Sequence, residues 1–254
     1  MKIQYASDLH LEFGANTAIL REHPIQPVGD VLVLAGDISY LDDDSLNKHP
    51  FWDWASDNFQ EVIVIPGNHE LYRNFDINEL NEGLELRLRR NVRYVYNQVI
   101  HLDDTTDLIA STLWAEIPPE NGYITQRRVS DFHYIRNGKS RLSWERFNEE
   151  HKKCRNFIEN AVKKSRSDKI IVVTHHVPSF TLMDEEFNGS PINGAFTSEL
   201  GNFIAGSRIK YWIYGHSHRN ISKQIGSTQC LCNQLGYVRA LEHLYFKTDA
   251  IIEL

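Results

Sequence analysis

Ile63-Val64-Ile65-Pro66-Gly67-Asn68-His69-Glu70 carries an apolar run straight into side chains that can coordinate a cation or move a proton. Residues 62–65 are an unbroken run of β-branched side chains, the pattern of a strand buried on both faces. Pro66 and Gly67 end it. Proline cannot donate to a ladder and glycine accepts turns closed to other residues, so the chain bends where Asn68 and His69 emerge. Taken alone, the stretch also suits an ordinary polar turn, because Gly-Asn is a common turn dipeptide.

The arrangement recurs along the chain. Residues 2–7 form a strand pattern ending in Asp8-Leu9-His10, and 31–35 another ending in Gly36-Asp37. Residues 170–174 end in His175-His176, and 211–214 end in Gly215-His216-Ser217-His218. In open α/β sheets ligands collect outside the carboxyl ends of the strands, so clusters spread over most of the chain can converge on one place. Asp8 and His10 sit two apart, and on extended backbone both would point to one side.

The order Asp-x-His, Gly-Asp, Gly-Asn-His-Glu, His-His, Gly-His-x-His resembles the calcineurin-like metallophosphoesterase superfamily, the binuclear-metal fold of many phosphatases, phosphodiesterases and nucleases. Single motifs such as Gly-Asp recur by chance; five in this order, each after a strand pattern, are specific. The resemblance implies an α/β fold of two packed mixed β-sheets flanked by helices, a four-layer α/β/β/α sandwich. It implies that Asp8, His10, Asp37 and His218 hold one ion, while Asp37, Asn68, one histidine of the 175–176 pair and His216 hold the other, with Asp37 as the bridge. Neighbours on an extended chain face opposite sides. His176 is favoured because in several family members the ligand histidine stands two residues before a proline, as His176 does before Pro178; His175 is the alternative ligand or a pocket residue. The resemblance also gives His69 the role of general acid, with Glu70 or Asp37 nearby to raise its pKa. A simpler role, orienting or binding phosphate, stays open for His69. The 233–237 turn resembles a family segment beside the substrate, which makes Tyr237 a binding candidate. Trp114 either lines the pocket or belongs to the core.

Aspartate, histidine and asparagine without thiolate suit manganese, iron, zinc or cobalt. The motifs supply too many ligands for one ion, and a pair of divalent ions ~3.5–4 Å apart can hold the attacking and leaving oxygens of an in-line displacement at phosphorus, with a bridging water as nucleophile. Hydrolysis of a small phosphate ester, mono- or diester, is the activity expected. Two other classes stand beside it. A catalytically silent scaffold would be free to lose ligands, and here every position is filled. A nuclease would want an added nucleic-acid-binding domain and a basic groove.

At 254 residues the chain has the length of one large domain spanning 1–254. Hydrophobic residues make up 41% and charged residues 24%, ordinary globular usage. The formal charge of −7 disfavours a general nucleic-acid binder, whose affinity comes from neutralising phosphates; Arg87, Arg89, Arg90 and Arg93 read as a solvated face or a local basic patch. No apolar run approaches the ~20 residues of a membrane span, and Met1-Lys2-Ile3-Gln4 leads directly into the first strand rather than into a signal peptide, so a cytoplasmic location is expected. Cys154, Cys230 and Cys232 read as reduced core thiols. The expected partner is a small-molecule phosphate ester, with no membrane association and the oligomeric state open.

The remaining segments are read more coarsely. Residues 11–30, interrupted by Pro24 and Pro27, read as an irregular loop across the mouth of the site. Asp42-Asp43-Asp44 reads as a solvated loop rather than a metal site. Residues 50–59 predict a short aromatic helix, and Asp76 predicts an N-cap for a helix to about residue 90 with Ile77, Leu80, Leu84 and Leu88 on its stripe. Strands are predicted at 92–96, 99–102 and 108–112. Residues 115–140 show no sustained periodicity and carry Arg127, Arg128, Asp131, His133, Tyr134 and Arg136, which suits a substrate lid or a surface insertion. Residues 143–164 predict the longest helix and 197–205 a short one; 221–225, 228–232 and 250–254 read as sheet.

Overall fold

The computed structural model describes residues 1–41, 48–73 and 75–254, so the Asp42-Asp43-Asp44 run lies outside the described residues. Strand β1 (Lys2–Ala6) is followed by α1 (Gly14–Glu22), β2 (Val31–Ala35), α2 (Pro50–Asn58), β3 (Glu61–Ile65), β4 (Leu84–Arg89) and β5 (Val92–Tyr96). Then come β6 (Gln98–Asp103), β7 (Thr106–Ala110), α3 (Pro119–Arg128), α4 (Asp131–Tyr134) and the small hairpin of β8 (Arg136–Asn137) and β9 (Ser140–Arg141). Helix α5 (Trp144–Lys164), β10 (Lys169–Val173), α6 (Gly201–Gly206), β11 (Ile209–Tyr214), β12 (Lys223–Ile225), β13 (Thr228–Cys232) and β14 (Ile251–Glu253) complete the chain.

The strands form two six-stranded sheets, in the orders β14-β1-β2-β3-β5-β4 and β12-β13-β11-β10-β7-β6. Each has four parallel strands in the middle and an antiparallel strand at either edge. Side chains alternate across a strand, so one run serves two cores. Val33, Ala35, Ile63 and Ile65 face Ile171, Val173 and Ile213 between the sheets. Leu32, Leu34, Val62 and Val64 turn outward onto Trp52 and Ala55 of α2. On the far side, Ile170, Val172 and Trp212 pack on Ile158 and Val162 of α5 and on Ile204 of α6. This is the four-layer α/β/β/α sandwich. The three cysteines are free and buried, and no helix among the described residues is long and apolar enough to cross a membrane.

Three segments differ from their sequence reading. Asp76 does cap a helix, its side chain accepting from the Asn78 amide, but the helix is a single 3₁₀ turn, Ile77–Glu79. Gly83, at φ +81°, ends the segment, and the chain enters β4. The spacing of Leu80, Leu84 and Leu88 fits a helical stripe, yet Leu84, Leu86 and Leu88 also alternate with Glu85, Arg87 and Arg89, and pairing with β5 decides between the two periods. Residues 11–30 contain the nine-residue α1, closed before Pro24. Residues 115–140 are largely helical: Pro119 opens α3, where a missing N–H costs nothing. The bare Gly122 lets the Trp144 indole lie flush on α3, an inter-helix contact that no hydrophobic stripe announces.

Candidate metal centre

The carboxyl ends of β1, β2 and β3 in one sheet and of β10 and β11 in the other deliver their polar clusters to one point at the seam between the sheets. Asp8, His10, Asp37 and His218 form one group of converging donors. His10 Nε2 lies 3.2 Å from His218 Nε2 and 3.9 Å from Asp37 Oδ2, and His218 Nε2 lies 3.3 Å from Asp8 Oδ1. Asp37, His175 and His216 form a second. There His175 Nε2 sits 3.3 Å from Asp37 Oδ1, 3.0 Å from Asn68 Oδ1 and 3.1 Å from His216 Nδ1. Asp37 belongs to both groups, one oxygen to each.

The backbone is unusual where these side chains emerge. Asp8, His10, Asp37, His216 and His218 all have φ between +47° and +75°, in the left-handed region. Such conformations cost roughly 1 kcal/mol or more for a residue with a Cβ. Asp8 and His10 therefore converge through two left-handed residues, not through the extended backbone expected of them. Two glycines permit the closeness: a Cβ on Gly36 would lie 2.4 Å from His175 Nδ1, and one on Gly67 would lie 2.2 Å from Asp37 Oδ1.

The histidine brought into the second group is His175, not His176. His175 donates from Nδ1 to the Ala35 carbonyl at 2.9 Å, which leaves its Nε2 lone pair facing Asp37 and Asn68. His176 turns the other way and packs on Trp114, Phe147 and the ring of His216. Neither of its nitrogens has a hydrogen-bond partner among the described residues, and burial together with His216 and His175 pushes its pKa well below the ordinary value. The proline spacing that favoured His176 is thus overridden by where the chain leaves β10. Trp114 is fully buried core.

Carboxylates surround these donors: Glu12 and Glu242, which the sequence reading did not single out, and Asp131, which it placed only in the lid segment. Glu12 Oε1 lies 3.0 Å from His10 Nδ1 and 3.1 Å from His69 Nδ1. These three residues are also close enough to hold an ion, but both ring nitrogens already hydrogen-bond the carboxylate. Glu242 accepts from His218 Nδ1 at 2.7 Å, and Asp131 accepts from the Asn68 amide at 2.8 Å and the Tyr72 hydroxyl at 2.7 Å. Glu70 turns away from His69 and accepts from the backbone of the β2 loop, so Glu12 takes the place expected of Glu70. Burial pulls the His69 imidazole down, but the Asp37 and Glu12 carboxylates outweigh it and its pKa is raised. Burial alone would push Asp37 up; His175, His69 and His10 hold it well below the ordinary carboxylate range.

Above the donors opens a cleft of about 870 Å³, walled by Phe13, Tyr40, Tyr134, Phe187, Phe196 and Tyr237, with Arg73, Arg128 and Arg219 among its cations. The Tyr237 hydroxyl sits 3.1 Å from His69 Nε2. Arg219 is tied to Glu186, whereas Arg128 has no hydrogen bond or ion pair to any described residue. Arg127 and His133 do not line the cleft: Arg127 lies over the Tyr123 ring, and His133 is exposed with Nε2 at 3.3 Å from the Arg127 carbonyl.

The model of the calcineurin-like phosphoesterases matches residues 1–220 of this chain. The chain belongs to that family. An uncharacterized protein of Acanthamoeba polyphaga mimivirus is 28% identical over 260 residues, spanning 92% of this phosphoesterase and 91% of the viral protein. Among solved structures, the phosphopantetheinyl hydrolase of Mycobacterium tuberculosis superposes with TM-score 0.67 at 16% identity, covering 94% of this chain and 90% of its own. A dimetal phosphatase from Danio rerio superposes with TM-score 0.51 at 13% identity, over 92% and 87%. At such identities these two likenesses concern the fold. Divalent metal binding follows from the family and is matched by the donors here: imidazole nitrogens 3.1–3.2 Å apart beside carboxylates form groups that could hold such an ion.

Proposed function

We propose that this phosphoesterase hydrolyses a small-molecule phosphate ester with two divalent transition-metal ions. Asp8, His10, Asp37 and His218 would hold one; Asp37, Asn68, His175 and His216 would hold the other. The observation that carries this reading is the shared Asp37, whose Oδ1 faces His175 and whose Oδ2 faces His10. Bound there, the ions would supply an activated water and charge to offset the phosphoryl oxygens. The chain's own residues do the rest. The Asp37 carboxylate lessens repulsion between the cations, which a neutral ligand cannot. Asp131, by accepting from the Asn68 amide nitrogen, turns the amide oxygen toward His175. His69 faces the cleft beside Tyr237 and is placed to hand a proton to the leaving oxygen. The cleft far exceeds a phosphoryl group, so its aromatic wall and Arg128 are available to the alcohol portion of the ester, and the α3–α4 segment that carries Arg128, Asp131 and Tyr134 acts as its lid.

The deciding experiment reloads metal-stripped protein with manganese, zinc, iron, cobalt or magnesium and offers phosphomonoesters, diesters, cyclic nucleotides, nucleotides, a phosphopantetheinyl compound and duplex DNA. A small ester should be turned over better than duplex DNA, in line with the acidic net charge. Robust, salt-sensitive DNA cleavage would favour a nuclease, and no turnover with any metal would favour a silent scaffold.

The ligand assignment makes its own prediction. His175→Ala is expected to bind about one ion fewer by elemental analysis, whereas His176→Phe should keep the wild-type content, because replacing an unpartnered buried imidazole by an apolar ring is close to neutral. Loss of metal from His176→Phe alone would reverse the choice.

His69 is tested through the leaving group. General-acid help of ~10²–10⁴-fold exists only where the leaving oxygen needs a proton. His69→Ala should keep its metals and much of its rate on a nitrophenyl ester while losing orders of magnitude on an alkyl or nucleoside ester; Asn68→Ala should fall on both. Equal losses for His69→Ala on both esters, with metals intact, would make His69 a phosphate-positioning group instead.

A further inference from the structure

Glu12 lies outside both donor groups around Asp37, yet it touches one residue from each side of the reading above. A single oxygen, Oε1, stands 3.0 Å from Nδ1 of His10 and 3.1 Å from Nδ1 of His69, and the side chain is 4% exposed. Its other oxygen is buried with no hydrogen-bond partner among the described residues. A carboxylate only accepts, so two ring nitrogens that meet one carboxylate oxygen must both carry hydrogen. The consequences differ at the far side of each ring. A neutral His10 then has a bare Nε2 facing His218 and Asp37. His69 presents Nε2 to the Tyr237 hydroxyl and the cleft. The rings themselves lie 4.4 Å apart at 69°, edge to face, so neither can turn without disturbing the other.

We propose that Glu12 is a positioning residue that holds hydrogen on Nδ1 of His10 and of His69 at once, so that metal retention and the aim of His69 depend on one carboxylate. This rests on the phosphoesterase reading for its chemistry but not for its geometry. Outer partners of metal-bound histidines typically govern metal affinity or activity by ~10–100-fold. Here the same partner also fixes a histidine that touches no metal. The amide of Glu12→Gln can donate to an Nδ1, which would let His10 place hydrogen on the Nε2 that faces the metal ligands.

The test is ¹⁵N NMR of the imidazoles in metal-free and zinc-loaded protein, with zinc affinity read by chelator competition. The expected result in the wild type is hydrogen on Nδ1 of both rings, as the neutral Nδ1–H tautomer on His10 and, on a His69 that serves as acid, with Nε2 protonated as well. In Glu12→Gln, tautomer mixtures should appear on both rings, zinc affinity should drop ~10–100-fold, and the rate on a poor leaving group should fall more than on a nitrophenyl ester. Glu12→Asp, which keeps the charge, should restore the tautomers in part. An Nε2–H tautomer on either histidine in the wild type overturns the proposal, as does a Glu12→Gln protein with unchanged tautomers and zinc affinity. The wild-type spectra decide even where the variant folds poorly, and the tautomer and zinc readouts stand even if no phosphate ester is turned over.

Discussion

Asp37→Ala is expected to lower the occupancy of both metal positions together and to cut turnover by roughly 10³-fold or more, since several kcal/mol of charge stabilisation at phosphorus would go with the ions. The expectation follows from its two oxygens pointing into different donor groups. Asp37 also accepts from the His69 backbone amide at 2.9 Å, so Asp37→Asn, which preserves that hydrogen bond, separates the loss of charge from the loss of a loop contact. Calorimetric metal titration of both variants should show the two sites weakened in each. A variant that loses one ion and binds the second normally would remove Asp37 from the bridging position.

Glu70→Ala is expected to be the most damaging change to stability near the site. The Glu70 carboxylate is wholly buried and accepts from the backbone amides of Asp37, Ile38, Ser39 and Gly67 and from the Tyr94 hydroxyl. It thus clasps the loop after β2 to the loop after β3. Burial and the neighbouring Asp37 carboxylate push its pKa up to about 7, although the hydrogen bonds donated by the Ile38 and Gly67 amides act to lower it. Removing it leaves four amides without their carboxylate partner in a buried position, at a cost of about 3–5 kcal/mol. Denaturant unfolding of the metal-free proteins should show the shift, and a change below ~1 kcal/mol would mean that water or a loop rearrangement takes over the carboxylate's role.

The architecture was legible wherever a short apolar run met a polar cluster. Residues 31–35 and 62–65 could be placed as buried strands because every position is apolar and all but Ala35 are β-branched or leucine, and the donors follow each run closely. What escaped was set by contacts between distant segments. Asp131 reaches Asn68 across 63 positions, and Glu242 reaches His218 across 24, with no local spacing to announce either. Glu12 was nearer to hand: Asp8-x-His10-x-Glu12 continues the first motif by one step. The choice between His175 and His176 could not be read from the chain, since alternation says only that they differ in side and the strand's exit angle decides which side is which. The helix expected over 76–90 failed where two periodicities coincided on leucines.

The left-handed backbone at Asp8, His10, Asp37, His216 and His218 bears on how this family can drift. Apart from glycine, aspartate, asparagine and histidine are the residues that enter that region most readily, and β-branched residues the least. Backbone and chemistry therefore select the same few side chains at these positions. A lineage released from catalysis would be biased there toward asparagine, glycine and exchanges between aspartate and histidine, with valine, isoleucine and threonine the most disfavoured. Aspartate and histidine at these positions report the shape of the turns as well as the presence of metal, and the turns would outlast the reaction.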